Sequence, residues 1–325
     1  MESLYLARLA MANHHRVLLW VSDSAPPAIL ETFNVPYRTF QSLSFGTEAE
    51  KIRNELASEK CGVALFNMRR IDNDILSRFR NDNLKLICID ELGGRHLDCD
   101  VIINPSIVSK YHNYSSGNQN IRIFTSPLYL SMSPEFMQAH KRDRDFRGEI
   151  QTVSVCMGGV DRTGATLRIM DALAHWKPAV RKNILLGGGF LHTREVYKKT
   201  AILKDHHFFI HQNISDIASL FLESDVAFTA GGNVLAELAC LGTPAIVLYE
   251  DDHERENGIA FEALGFGFCV GAGIEATTEA IVNALQKYED EALRRTHSPR
   301  GKELVDGKGA GRILDIIREL VISPA

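Results

Sequence analysis

The sequence predicts an α/β protein of two domains, each a parallel sheet covered by helices on both faces. Three observations predict it. The chain has 325 residues, more than one hydrophobic core ordinarily spans. Short apolar runs recur at residues 63–67, 152–157 and 245–249, as expected of strands buried on both faces. Helical stretches alternate with those runs, which is the pattern of βαβ units.

Taken in order, residues 1–13 carry Leu4, Leu6, Leu9, Ala10 and Met11 at helical spacing, and 16–23 (RVLLWVSD) read as a strand ending in polar residues. A chain that opens on a helix has no strand in front of it, so the first domain is expected to lack the first strand of such a fold. Helices are predicted over 47–59 and 72–80, each followed by a strand, at 63–67 and 84–90. Asp90 and Glu91 lie at a strand's carboxyl end, where open α/β sheets place ligands; a solvated turn is the other reading. DCDVIIN at 98–104 is a further short strand. The Ser-, Asn- and Tyr-rich stretch 105–119 is long enough to read as a mobile loop. KRDRDFR at 141–147 turns the composition from apolar to charged, which puts the domain boundary near residue 145: an N-terminal domain 1–145 and a C-terminal domain 146–325.

In the second half, a strand at 152–157 runs into Gly158 and Gly159 and a helix at 163–176. Another strand at 183–186 ends in Gly187, Gly188 and Gly189, and a strand at 207–211 and a helix at 214–223 follow. The stretch 229–250, TAGGNVLAELACLGTPAIVLYE, bears the most chemistry. Gly231 and Gly232 put two residues without a Cβ where a strand hands over to a helix. The helix from Asn233 then aims unpaired N–H groups and the positive end of its dipole at that spot, which favours an anion. Glu237, one turn in on the same face, cannot serve a phosphate but is able to accept hydrogen bonds from ribose hydroxyls just beyond it. Gly242 and Pro244 end the helix.

The pattern of Gly231, Gly232, Glu237, Gly242 and Pro244, G-G-x-x-x-x-E-x-x-x-x-G-x-P, resembles the donor-nucleotide segment of GT-B glycosyltransferase-like proteins. More narrowly it is similar to the UDP-sugar hydrolases of the pseudaminic acid pathway and the related spore-coat polysaccharide proteins. The resemblance implies two Rossmann-like domains facing a cleft, with a UDP-sugar held mainly by the second. It implies a diphosphate role for Gly158, Gly159 and Asp161, which resemble the family's F-G-G-S-D; glycines needed only for turning are the alternative. Gly188, inside a turn like the family's G-P-G, would stand near uracil or ribose; a loose loop of three glycines is the other reading. His253, Glu254 and Asn257 align with the family's H-E-x-x-N and suit sugar hydroxyls or a phosphate oxygen. His253 is also the candidate general acid or base, set against the plainer reading of a solvated surface histidine.

Leu128, Tyr129, Pro134, Glu135 and Phe136 resemble the family's Y-x-L-L-R-P-E-F signature, with Ser133 in place of its arginine. The family's catalytic histidine lies in a G-x-G-H-x-x-R loop after a first strand. Residues 3–12 resemble the helix that follows that loop, Glu2 stands where the arginine would be, and Asn67 stands where relatives place aspartate. No residue is therefore assigned the family's catalytic histidine. Three readings follow: a UDP-sugar hydrolase, a glycosyltransferase with a UDP-sugar donor, or a nucleotide-sugar-binding protein without turnover.

Composition removes other classes. A net charge of −5 argues against a nucleic-acid binder, while 45% hydrophobic and 24% charged residues suit an ordinary soluble domain. Six scattered cysteines without a C-x-x-C pair read as thiols in a reducing cytoplasm. No run is long and apolar enough for a membrane span, and no signal peptide opens the chain, so a cytoplasmic location is expected. His14–His15 and His206–His207 are neighbours whose side chains diverge, so no metal is expected, nor any cofactor. Neither a Gly-x-Ser-x-Gly elbow nor a Walker loop is present. Nothing in the sequence sets the oligomeric state.

Overall fold

The computed structural model describes residues 2–23, 30–31, 33–41, 45–68, 71–115, 120–146, 148–212, 214 and 216–322. The chain forms two compact units, Met1–Ser133 with Lys308–Ala325, and Pro134–Gly307. The division therefore falls after Ser133 instead of near residue 145, and the C-terminal segment returns to the first unit. The charged run after residue 140 is part of the second unit because Arg144 reaches a main-chain carbonyl and a hydroxyl there and Lys302 of that unit holds carbonyls at the start of the run. Arg144 donates to Thr243 Oγ1 at 2.8 Å and Leu222 O at 3.0 Å. Lys302 Nζ donates to His140 O at 2.9 Å and Arg142 O at 2.7 Å.

In the first unit, helix α1 (Glu2–Ala12) leads to strand β1 (Leu19–Ser22), which pairs in parallel with β2 (Tyr37–Phe40). Helix α2 (Phe45–Ser58), β3 (Val63–Asn67), α3 (Asn73–Phe79), β4 (Lys85–Ile89), β5 (Val101–Asn104) and β6 (Arg122–Thr125) follow. Strands β3 to β6 form a separate parallel sheet in chain order. Among the described residues β1 pairs with β2 alone and β3 with β4 alone, so the sheet of this unit is in two pieces.

The stretch after residue 104 is more ordered than its composition suggests. It holds a short 3-10 helix, Ser109–His112, tied back by Asn104 Nδ2 to Tyr111 O at 2.9 Å and by His112 Nε2 to Ser106 O at 2.9 Å. Residues 116–119 of that loop lie outside the described residues. The returning helix, Gly309–Ile322, buries Ile313, Leu314 and Ile316 in a cluster with Ile87, Ile89, Val101 and Ile103 of the four-stranded sheet.

The second unit begins with α4 (Pro134–His140). It then alternates β7 (Thr152–Cys156), α5 (Ala165–His175), β8 (Arg181–Leu186), α6 (Thr193–Leu203), β9 (Phe208–Gln212), α7 (Ile217–Leu222), β10 (Val226–Thr229), α8 (Asn233–Leu241), β11 (Ala245–Tyr249), α9 (Asp252–Ala263) and β12 (Phe268–Ala272). Helices α10 (Thr278–Lys287) and α11 (Glu291–Leu304) complete it, before the returning helix, α12. The six strands form one parallel sheet in the order β12-β11-β10-β7-β8-β9. Val153, Val155, Ile184, Val226, Phe228, Ile246 and Leu248 pack into its core, which is why these strands read as unbroken apolar runs. Among the described residues no helix is long and apolar enough to cross a membrane.

The docking of α12 yields a test. A Cβ at Gly309 would stand 2.1 Å from Leu130 O, a backbone atom that cannot swing away. Gly309→Ala is expected to cost about 1–3 kcal/mol of unfolding free energy through the forced shift, read by urea denaturation. A loss below about 0.5 kcal/mol would show that the helix re-seats freely.

Candidate functional site

The order of the second sheet reverses at β7: β8 and β9 extend it on one side, and β10 to β12 on the other. Open parallel sheets bind ligands outside the carboxyl ends of the strands at such a switch point. The two Gly-Gly turns are the loops that leave the two strands there, Gly158–Gly159 after β7 and Gly231–Gly232 after β10. The strands are paired neighbours, with Cys156 opposite Thr229.

The β7 turn is built by close backbone contact. A Cβ at Gly187 would stand 2.6 Å from Gly159 Cα, so the loop after β8 lies against it; Gly189 N donates to Gly159 O at 3.1 Å and Leu191 N to Val160 O at 3.1 Å. Gly158 has φ +81, and around the Cβ positions of Gly158, Gly159 and Gly188 no described heavy atom lies within 4 Å. Asp161, 1% exposed, accepts from Ala165 N and Thr166 N at 2.9 Å each. Its carboxylate thereby caps α5 and takes two N–H groups that an incoming anion would otherwise use.

The β10 turn is fixed by α9. Gly231 has φ +102, and a Cβ there would stand 2.7 Å from Glu254 O and 3.1 Å from Val247 Cγ1. Asn257 Nδ2 donates to Gly231 O at 3.2 Å. Gly232 is the N-cap of α8 and makes no side-chain cap bond. Its own Cβ position is 3.5 Å from Glu254 Oε1, an ordinary contact. Asn233 is exposed and Glu237 half-buried one turn along α8. Burial, with the Glu237 charge adding, pushes the Cys156 thiol up to about 12. His253 is half-buried in the first turn of α9, whose N-cap Asp251 accepts from Glu254 N at 3.0 Å.

Several residues at this edge carry no motif in the sequence. Glu250, at the end of β11, pairs through Oε2 with Arg162 at 3.1 Å; its side chain is 6% exposed, and its Oε1 has no hydrogen-bond partner among the described residues. Thr163 Oγ1, His192 Nε2 and Thr229 Oγ1 are buried without such a partner too. All four belong to the loops or strand ends at the carboxyl edge of one sheet. Buried polar atoms are nearly always satisfied, so their concentration marks an edge built to meet something polar. The available signal in the sequence was position alone: a polar residue at the end of a buried strand or in the loop that follows it.

Glu254 is the most perturbed acid here. Burial, then the charges of Asp251 and Glu250, push it up to about 7 against the opposing hydrogen bond from Glu250 N and the Arg162 charge. In the first unit Asp90 is committed to its own turn: it accepts from Leu92 N at 3.3 Å, Gly93 N at 3.0 Å and Tyr114 Oη at 3.0 Å. Asn67 Nδ2 donates to Ser3 Oγ at 3.2 Å. Among the described residues no group of three His, Cys, Asp or Glu side chains is placed to hold a metal ion.

The fold is that of the GT-B glycosyltransferases. MurG of Acinetobacter baumannii matches it with a TM-score of 0.70 at 13% identity, over 98% of this chain and 95% of that one. The S. aureus MnaA–UDP co-structure matches with a TM-score of 0.64 at 13% identity, over 100% and 96%. In sequence the chain is similar to the spore coat polysaccharide biosynthesis protein SpsG of Bacillus subtilis (strain 168), 25% identical over 274 residues, 83% of this chain and 80% of that protein. No family model matches the sequence.

The two glycines of the β10 turn have different duties, and substitution separates them. Gly231→Ala meets both a left-handed φ and a backbone oxygen, and is expected to cost about 1–3 kcal/mol. Gly232→Ala meets neither and is expected to stay within about 0.5 kcal/mol of the parent. Equal losses in urea unfolding would overturn this division.

Proposed function

We propose that this chain binds a UDP-sugar at the carboxyl edge of the second unit's sheet and hydrolyses the sugar–UDP bond, in cytoplasmic synthesis of a bacterial surface polysaccharide. The observation that carries the reading is the pairing of two strand–Gly-Gly–helix turns on adjacent strands at the switch point. Support comes from the likeness to SpsG, whose name places it in polysaccharide biosynthesis, and to MnaA, whose structure holds UDP.

In this reading the open backbone at Gly158, Gly159 and Gly232 admits the diphosphate, and α8, beginning at Asn233, turns its N–H groups and dipole toward it. Gly231 and Asn257 hold the turn, and Asp161 holds the other one. Glu237 accepts from the ribose hydroxyls, Gly188 lies against the nucleoside, and His253 borders the sugar, with Glu254 between it and the diphosphate. Hydrolysis forms a bond from water oxygen to the anomeric carbon and breaks the bond from that carbon to the phosphate oxygen. UDP leaves with the electron pair, and the water's proton passes to a base, for which His253 is the candidate.

Glu237→Ala should weaken UDP binding roughly tenfold or more, since a charge-assisted hydrogen bond is worth about 1.5–3 kcal/mol. Unchanged affinity by calorimetry would remove the ribose assignment. His253→Ala should lower UDP release from a UDP-sugar by about 10²–10⁴-fold with little change in UDP affinity. Turnover within about threefold of the parent would send the base elsewhere. Release that requires an added acceptor in place of water would make the protein a transferase.

A further inference from the structure

A carboxylic acid stands where, on the reading above, the diphosphate arrives. Glu254 Oε1 lies 3.5 Å from the point where a Gly232 Cβ would be, and Gly232 caps α8 without a side-chain partner. The other oxygen, Oε2, accepts from Glu250 N at 2.8 Å. The groups facing Glu254 are mostly anionic. Glu250 is almost fully buried with one oxygen unpartnered among the described residues, and Asp251 caps the helix that carries Glu254. Arg162 is the cation among them, shared between Glu250 Oε2 at 3.1 Å and Asp251 Oδ2 at 3.6 Å. A phosphate brought to the Gly231–Gly232 turn adds charge to this group in a partly desolvated place, where repulsion is several times stronger than in water.

We infer that Glu254 meets the phosphate as a neutral acid, donating a hydrogen bond to a phosphate oxygen, so that binding a nucleotide diphosphate ester at this turn takes up one proton from solvent. The inference rests on the nucleotide-sugar reading. The competing arrangement is a permanently ionised Glu254 acting as an internal anion for α8. Such a group would accept from the first amides of α8, but the hydrogen bond Glu254 accepts comes from Glu250 N, and Leu235 N is turned back to Gly232 O at 2.9 Å. Burial and its acidic neighbours already hold Glu254 near neutrality in the free protein, at about 7. An arriving anion raises it further. The sign follows: below that pH the acid is already protonated and affinity is level, whereas above it each pH unit costs about tenfold, because the proton must be bound with the ligand.

The test is calorimetry of UDP-glucose, whose diphosphate ester has no proton to lose near neutrality, on the full chain from about pH 6 to about pH 9. Each titration is run in two buffers of different ionisation enthalpy. The parent should lose affinity about tenfold per pH unit above neutrality and take up close to one proton per ligand. Glu254→Gln should bind with the same affinity across that range and exchange no proton. Asp251→Asn keeps the cap of α9 but removes one charge, and should move the break in the parent's profile to lower pH. Binding by the parent without proton uptake, or a slope that persists in Glu254→Gln and points to His253 instead, overturns this inference and leaves the nucleotide-sugar reading standing. Failure of the parent to bind UDP-glucose at any pH overturns both. Should Glu254→Gln not fold, the parent's proton count and the Asp251→Asn profile still decide.

Discussion

The carboxyl edge of the second sheet depends on backbones that approach each other more closely than side chains allow. A side chain at Gly187 would begin 2.6 Å from Gly159 Cα, and one at Gly231 would begin 2.7 Å from Glu254 O. Each approach ties one loop to the next: the β8 loop to the β7 turn, and the first turn of α9 to the β10 turn. The loops are thus placed by rigid contacts with the sheet and with each other. What remains open is the space at Gly158, Gly159 and Gly188, where nothing in the fold requires the missing Cβ for packing. Structural glycines and open ones sit side by side, and only their surroundings tell them apart.

The acidic residues divide along a similar line. Asp161, Asp225 and Asp251 turn their short side chains onto main-chain N–H groups; Asp225 Oδ2 alone accepts from Gln151 N at 2.7 Å and Thr152 N at 2.9 Å. Asp225 does so at the amino edge of the sheet, whereas Glu237, Glu250 and Glu254, with longer side chains, stand at the carboxyl edge without capping a helix there. A net charge of −5 does not set the field at this edge, because helix dipoles and backbone donors act over a few ångströms while net charge acts over the whole surface. The electrostatic cost is concentrated where Glu250, Asp251 and Glu254 crowd around a single Arg162.

The fold class was legible because buried parallel strands have no polar face to hide their pattern, and the Gly-Gly turns were legible because Gly158 and Gly231 take left-handed φ values that favour glycine. What escaped was polar or distant. The strands Tyr37–Phe40 and Arg122–Thr125 are short and carry exposed residues, so they lack the apolar run. Helix α11 is charged and contains Pro299, yet it buries Arg294, whose guanidinium donates to Tyr288 O and Gly148 O. Hydropathy cannot show a cation buried by main-chain carbonyls. The same effect made residues 141–147 read as the domain boundary, since Arg144 binds carbonyls instead of water. At the site, Asp161 and Asn257 were visible as residues, but their use in holding loops depends on the tertiary positions of Ala165 N and Gly231 O.

The first unit makes a different compromise. A two-stranded parallel pair of four residues each, such as β1 and β2, has little stability of its own. It is held by α1, which carries two apolar faces. Leu6 and Ala10, four apart, join the cluster of the four-stranded sheet and α12, while Leu4 and Ala7, three apart, join Leu30, Phe33 and Val35 beside β1. Such spacings put each pair on one side of a helix, so a single helix spans the division between the sheets. The docking of α12 by Gly309 against Leu130 then bears on both pieces, because α12 packs on α1 as well as on the larger sheet. In the second unit no comparable clamp is needed, since its six strands are hydrogen-bonded without a break from β12 to β9, and the glycine turns stand on that continuous support.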